Sequence, residues 1–403
     1  MYDFPTSPFR SGSRRAFLAL GATSGALTLT GCSDMGSTFP PLGPASTPSG
    51  PSQAPVTGDT IGTGPVRVAL ILPLSSANGA VPAKAMRNAA EMALTEFNST
   101  DLTILVKDDR GTPEGAQAAA QEAISQGAEV ILGPLFAPTV QSAASVARAA
   151  SRPVIAFSSD AGVASRGVYL LSFMPQSDVR RVLEYAGRKG KKSFAALIPS
   201  TSYGSVAEAE FTQTVARMGA RLSVVERYQP NKASADAAVA RIKASAGQID
   251  SLFIPDDGNG IPVIGASLQA AGIARIQMLG TGVWDEATVQ KTPAMAGGWY
   301  AAPERTGFQN FSQRYRQRFT ADPTRIATLS YDAVALVSAL ARTQGSKRFS
   351  EQVLLNASGF SGQDGIFRFR ADGGNDRGLA IYQIANGGAQ MIEAAPRSFG
   401  GAA

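Results

Sequence analysis

The 403-residue chain contains no histidine and a single cysteine. Without histidine there is no Ser-His-Asp triad, no histidine general base and no histidine metal ligand. One cysteine excludes an intrachain disulfide and a thiolate metal cluster, so no cofactor or metal is expected. Charge of one sign is also scarce. The formal net charge is +6, and removal of residues 1–31 takes away three arginines and one aspartate, leaving +4. The only compact basic group is Arg188, Lys189, Lys191 and Lys192, at a helix end where solvated cations are ordinary. No nucleic-acid partner is expected from this pattern.

What the sequence does have begins at its amino end. Residues 13–32 run from charged Arg14-Arg15 through an apolar stretch, Ala16 to about Thr30, to Gly31-Cys32. A charged start, an apolar middle and small residues before a cut site are the signature of a signal peptide, and this stretch is too short to span a bilayer comfortably. Ser13-Arg14-Arg15-Ala16-Phe17-Leu18 resembles the twin-arginine export motif, and Leu29-Thr30-Gly31-Cys32 resembles a lipobox. The reading is a signal peptide over 1–31, a lipidated Cys32 as mature amino terminus, and a periplasm-facing anchor in the cell membrane or outer membrane. Each buried acyl CH₂ contributes about 0.8 kcal/mol, so two or three chains hold firmly where one does not. Ser33 after the cysteine leans toward the outer membrane. Residues 33–65 are dominated by Pro, Gly, Ser and Thr, with Asp34 and Asp59 the only charges. Such a composition predicts a disordered tether over 32–65, roughly 30 Å as a coil and roughly 100 Å extended.

From Val66 the pattern changes. Continuous apolar runs of strand length (66–73, 102–107, 130–132, 154–157, 168–173) alternate with helical periodicity (84–97, 112–126, 139–150). A second set repeats the alternation: helices 178–189, 205–218, 234–246 and 260–271, strands 194–198, 221–227, 251–254 and 276–279. Strand 297–302, helices 307–319 and 328–343, and strands 366–369 and 379–384 around Asp372-Gly373-Gly374 complete the chain. Repeated β-α units imply parallel sheets covered by helices on both faces. The expectation is an α/β fold of two doubly wound parallel-sheet lobes, with ligands at the carboxyl ends of the strands.

The ordered set Val68-Ala69-Leu70-Ile71-Leu72-Pro73-Leu74-Ser75, Asn88-Ala89-Ala90-Glu91-Met92-Ala93-Leu94, Asp108-Asp109-Arg110-Gly111, Val130-Ile131-Leu132-Gly133-Pro134-Leu135, Tyr203-Gly204, Tyr331-Asp332-Ala333 and Phe367-Arg368-Phe369 resembles the leucine/isoleucine/valine-binding family of type 1 periplasmic binding proteins over about 66–394. The resemblance implies three crossovers between lobes, near 174–177, 301–305 and 360–365. Lobe one would be 66–175 plus 303–360, lobe two 177–301 plus 363–394, and 395–403 a tail. It also implies a non-catalytic protein. Asp108-Asp109 offers an acid and a base by type, but neighbours on a strand point to opposite faces.

The same resemblance implies a cleft lined by Ser75, Ser76, Phe136, Ala137, Ser158, Ser159, Asp160, Tyr203, Asp256, Asp257, Trp284 and Asp285. The amino-acid binders hold the ligand carboxylate with hydroxyl and backbone donors after the third and fourth strands, and the ammonium with an acid and tyrosines. Here Ala137 stands where a serine donates, Asp160 where a threonine is expected, and Gly282 where the acid is expected. Ser158 and Ser159 read equally as caps, Asp256-Asp257-Gly258 as a turn, Trp284 as packing and Phe136 as a wedge between Pro134 and Pro138. Simple α-amino-acid recognition is not expected. Cys32, the tether, Gly133-Pro134-Leu135-Phe136-Ala137 and Asp178-Val179-Arg180-Arg181 resemble alphaproteobacterial penicillin-binding-protein activator lipoproteins, without the helical-repeat segment of enteric ones. That implies a membrane-anchored lipoprotein acting on a peptidoglycan synthase. The alternative is a solute-binding protein serving an ABC permease for amino acids or related small molecules.

Overall fold

The computed structural model of the chain describes residues 54–273 and 275–399. The leader with Arg14 and Arg15, Cys32, and residues 32–53 of the expected tether lie outside the described residues.

The first sheet is built from β1 (Thr60–Ile61), β2 (Val66–Leu72), β3 (Leu102–Asp108), β4 (Ile131–Leu132), β5 (Val154–Ala156) and β6 (Val168–Leu170), in the order β1-β3-β2-β4-β5-β6. All pairings are parallel except β1 with β3. Helices α1 (Ala80–Glu96), α2 (Pro113–Ser125) and α3 (Ala137–Ala149) form the connections. Continuous apolar strands follow from two-sided burial. Val68, Leu70 and Leu72 face a core shared with α1, whereas Ala69 and Ile71 face α2 and α3. Alanines at 116, 119, 120 and 123 let α2 lie close to the sheet. Thr112 caps that helix through Gly115 N at 3.0 Å, with Pro113 as its first residue.

The chain then leaves the first sheet through residues 171–174 and enters the second. α4 (Pro175–Arg188), β7 (Ser193–Pro199), α5 (Ser202–Arg217), β8 (Arg221–Tyr228), α6 (Lys232–Ala244), β9 (Ser251–Phe253), α7 (Ile261–Ala270), β10 (Gln277–Gly280), α8 (Ala287–Gln290) and β11 (Trp299–Ala302) follow. Residues 303–304 lead back to α9 (Arg305–Phe319), α10 (Ala327–Thr343) and α11 (Glu351–Leu354). α10 packs along α1 and closes the first core. β12 (Phe360–Gly362), β13 (Gly365–Phe369) and β14 (Asn375–Arg377) form a small antiparallel sheet, and β15 (Ala380–Ala385) and β16 (Gly388–Glu393) complete the second sheet in the order β16-β15-β11-β10-β9-β7-β8. The fold is mixed α/β with two parallel-dominated sheets.

Three boundaries differ from the sequence expectation. Residues 54–65 are not tether: Thr60 and Ile61 pair with Leu105 and Ile104, and Ile61 is buried. Lys107 and Gln126 further fasten the segment through Thr57. The third crossing comes later than 360–365. Phe367 and Phe369, on one face of β13, bury in the first core against Tyr169, and Asn375 Nδ2 donates to the carbonyls of Leu170 and Ser172. The chain therefore joins the second sheet only at Ala380. The expected tail is in part packed: Ala395 N and Arg397 both bond Glu304, and Arg368 lies 4.7 Å from the Phe399 ring centroid.

If β1 belongs to the body, Ile61→Ala costs about 2 kcal/mol in urea-denaturation stability. A tether residue would cost nothing measurable.

Candidate functional site

The carboxyl ends of three second-sheet strands converge on one wall. After β7, Tyr203 stands in the first turn of α5. Thr201 caps that helix, and Gly204 lets it start tight against the strand, because a Cβ there would lie 2.0 Å from the Pro199 carbonyl oxygen. After β10 comes the Thr281-Gly282-Val283 turn, and β11 ends at Ala302-Pro303. These groups face Phe308, Gln309 and Arg325, which pack with the first core, across a cavity of about 710 Å³. Phe173, Pro175 and Asp178 form its hinge side. The volume lies within the ~300–1,000 Å³ usual for small-molecule sites.

Its polar groups are mostly committed. Tyr203 OH and Thr281 Oγ1 share a 2.7 Å hydrogen bond. Asp285 accepts from Tyr300 OH at 2.7 Å and pairs with Arg305. Arg325 holds Asp364 in a two-pronged contact at 2.6 and 2.9 Å, and Thr328 adds a third bond to that buried carboxylate. Asp178 Oδ2 accepts from Gly282 N at 2.9 Å, tying α4 to the β10 turn. Burial, partly offset by that bond and by Arg377, pushes the Asp178 carboxyl up to about 7.

Behind this surface lies a second charged layer. Arg377 is buried, donates through Nε to Ser172 O at 3.0 Å, and its terminal nitrogens have no hydrogen-bond partner. Burial lowers its pKa. The Phe173 ring receives both guanidiniums, Arg325 at 4.5 Å and Arg377 at 4.8 Å. Asp332 Oδ1 accepts from Gln363 N at 2.8 Å, and burial together with the Asp364 charge raises its carboxyl to about 7.

The expected cleft residues separate into groups. Tyr203 and Asp285 line the cavity. Ser75, Ser76, Phe136 and Ala137 lie at the carboxyl end of the first sheet and do not line it. Ser75 N bonds Asp108, Ser76 and the Phe136 ring sit against Gly111, and Ala137 begins α3. Ser158 Oγ accepts from Asp160 N, and Asp160 caps a single helical turn through Gly162 N at 2.8 Å, so both serve the local bend, with Ser159 exposed between them. Asp256 accepts from Tyr228 OH, and Asp257 forms a turn with Asn259 N. Asp285 meets a cation, but it is the chain's own Arg305. Trp284 is not a cleft residue: it is fully buried, donates Nε1–H to Ile254 O at 3.0 Å and packs over Gly280, where a Cβ would lie 2.1 Å from the indole. Asp108 and Asp109 serve separate turns, through Arg110 N and Gly111 N. Among the described residues, no group of three or more acidic, cysteine or histidine side chains is placed to hold a metal ion.

Sequence reasoning missed Asp178, Phe173, Arg305, Phe308 and Arg325. For Phe173, Asp178, Arg305 and Phe308 the available signal was their position beside the crossovers, with Asp178 three residues after Pro175; Arg325, between α9 and α10, carried none.

The pattern of the family described as periplasmic binding protein matches residues 65–389. The chain belongs to this family. Solved relatives share this periplasmic binding protein fold at low identity. A Rhodospirillum rubrum protein assigned to branched-chain amino acid ABC transport is 19% identical, with a TM-score of 0.73 over 81% of this chain and 99% of that one. The leucine-binding protein LivK of Thermotoga maritima is 18% identical, with a TM-score of 0.55 over 82% and 98%. A Rhodopseudomonas palustris solute-binding protein, solved with 3,4-dihydroxybenzoic acid, is 20% identical, with a TM-score of 0.57 over 82% and 96%. Among curated sequences, the uncharacterized protein RP748 of Rickettsia prowazekii (strain Madrid E) is 20% identical over 212 residues, 51% of this chain and 56% of that one. That match therefore spans little more than half of the relative. The family implies a periplasmic or other extracytoplasmic location. No helix among the described residues is long and apolar enough to cross a membrane.

Two predictions follow from these environments. Trp284→Ala costs about 3–5 kcal/mol by emptying the second core, read as a lower midpoint in urea. The Asp178 and Asp332 carboxyls stand above the unfolded value near 3.9. The native state therefore holds extra protons between about pH 4 and 7, and stability falls as pH rises through that window. Asp332→Asn removes one such group and flattens the fall. An unchanged slope between pH 5 and 8 contradicts the assignment.

Proposed function

We propose that this protein is a non-catalytic, membrane-anchored binding lipoprotein whose two lobes take a small ligand in the cavity at their hinge. The observation that carries the reading is the cavity itself, about 710 Å³ at the carboxyl ends of β7, β10 and β11, facing side chains of the first lobe. Lobe one is 54–170 plus 305–377, and lobe two is 175–302 plus 380–393. Three connections allow the lobes to close on a ligand as a clamshell. Export through Arg14-Arg15 and acylation of Cys32 leash the body to the cell membrane or outer membrane. The solved relatives favour delivery of that ligand to an ABC permease.

A second reading is that the body activates or scaffolds a peptidoglycan synthase, a penicillin-binding protein. It is favoured by the state of the first-lobe loops. Ala137 lacks a hydroxyl, and Asp160 places a carboxylate, bonded to Gly162 N, where the amino-acid binders are expected to carry a threonine.

One pair of measurements separates the readings. Thermal unfolding of the purified chain is followed with amino acids, amides, amines and peptidoglycan fragments. A ligand at 100 times its Kd adds about 2.7 kcal/mol. A pull-down from solubilised membranes identifies a permease or a synthase. Stabilisation with co-purifying permease supports the first reading. A co-purifying synthase with no small-molecule shift supports the second.

A further inference from the structure

This inference rests on the reading of the hinge cavity as a ligand site and names its ligand class. We infer that the cavity selects a monocation with an apolar body, an amine or guanidine without a carboxylate, held by Asp178 Oδ1.

Four charged side chains line the cavity: Asp178, Asp285, Arg305 and Arg325. Two of these are neutralised together, because Asp285 pairs with Arg305. Arg325 is neutralised from behind by Asp364. Asp178 has no ion-pair partner. Its Oδ2 is occupied by Gly282 N, and Oδ1 carries no hydrogen bond from the described residues. Among the described residues the cation that faces Asp178 from behind is Arg377, and that guanidinium is shared with Asp332 and Asp364.

A ligand carboxylate finds no unpaired cation here, because both lining arginines already serve carboxylates. An ammonium or guanidinium gains a carboxylate with one oxygen free and largely buried, where such attraction exceeds its value in water. It also meets the Tyr203 ring, the lining aromatic that receives no guanidinium from the described residues; Phe173 and Phe308 already receive Arg325. The rest of the wall, Pro175, Val283, Ala302 and Pro303, is suited to hydrocarbon.

The test uses the full chain carrying Cys32→Ser, to remove acylation, and matched probes: phenethylamine, 3-phenylpropionate and phenylalanine. Titration calorimetry and thermal unfolding are expected to show phenethylamine binding, with the acid silent and the zwitterion weaker. Asp178→Asn is expected to weaken the amine by roughly 10- to 100-fold. A second readout needs no variant. The titratable and charged groups facing Asp178 are Tyr203 on α5 and Arg377 on β14. With its carboxyl up at about 7, Asp178 is largely protonated at pH 6, so amine binding there releases a proton. The binding heat then varies with the ionisation enthalpy of the buffer. If the acid or the zwitterion binds more tightly than the amine, or Asp178→Asn binds the amine as the parent does with no proton released, the inference is overturned while the cavity remains a ligand site. If no probe binds and no member of the wider panel stabilises the chain, the binding reading falls with it.

Discussion

The structure depends on charge held out of water where the chain passes between its sheets. Arg325 and Asp332, at the start of α10, meet Asp364 and Arg377 of the small antiparallel sheet region, and both arginines lie over Phe173. Asp364, Asp332 and Arg377 are buried. Removing an ion from water costs several kcal/mol even after relaxation, and the cost is recovered only when partners and hydrogen bonds are all in place. Arg325 meets that condition through its two contacts with Asp364. Arg377 meets it only in part, through one carbonyl, an aromatic face and nearby carboxylates. Such a layer is intolerant of rearrangement, because moving one member strands another. It fixes where the first lobe's last strands sit before the chain enters the second sheet, and so fixes the floor of the cavity.

Above that floor the wall is assembled by short-range chemistry. A cap at Thr201 starts α5 where Tyr203 reaches the cavity, and the Asp178 carboxylate anchors the turn after β10. Trp284 plugs the space beneath that turn and bonds the end of β9. Each device spends a polar group on the fold. What remains unspent is therefore informative, and in the lining the clearest unspent group is one oxygen of Asp178.

Much of the architecture was legible in the chain. Strands β2 and β7 are apolar after Arg67 and Ser193 at their starts because helices cover both faces of each sheet, and the intervening helices carry alanine at sheet-facing positions. The parts that were not legible share a physical cause. Residues 54–65 have the composition of a tether, and a two-residue edge strand has no period to detect. The membership of β13 in the first core rests on Phe369 meeting Tyr169 and Phe367 packing beside it, contacts that alternation alone does not specify. At the site, following strand ends led to Tyr203 and Asp285. It could not distinguish Asp160, which caps a turn, from Asp178, which faces the cavity, because both are aspartates close to a strand end. Only the position of Gly282, 104 residues further along, gives Asp178 its place.

The cavity is consequently asymmetric, and the asymmetry bears on how the protein discriminates among ligands. The second lobe and the hinge supply a carboxylate, a tyrosine and most of the apolar wall. The first lobe supplies Phe308, Gln309 and Arg325, with that arginine already paired. Its strand-end loops, which face the cleft in the amino-acid binders, are closed upon themselves: Ser75 on Asp108, Ser158 and Asp160 on the following turn. A ligand polar at both ends needs donors from both lobes, and the first lobe offers the cavity no unpaired charge, only the Gln309 amide beside Phe308 and the paired Arg325. On the proposed reading, recognition falls to the hinge side, where closure adds mainly apolar contact, so that charge selects the ligand before closure and shape during it.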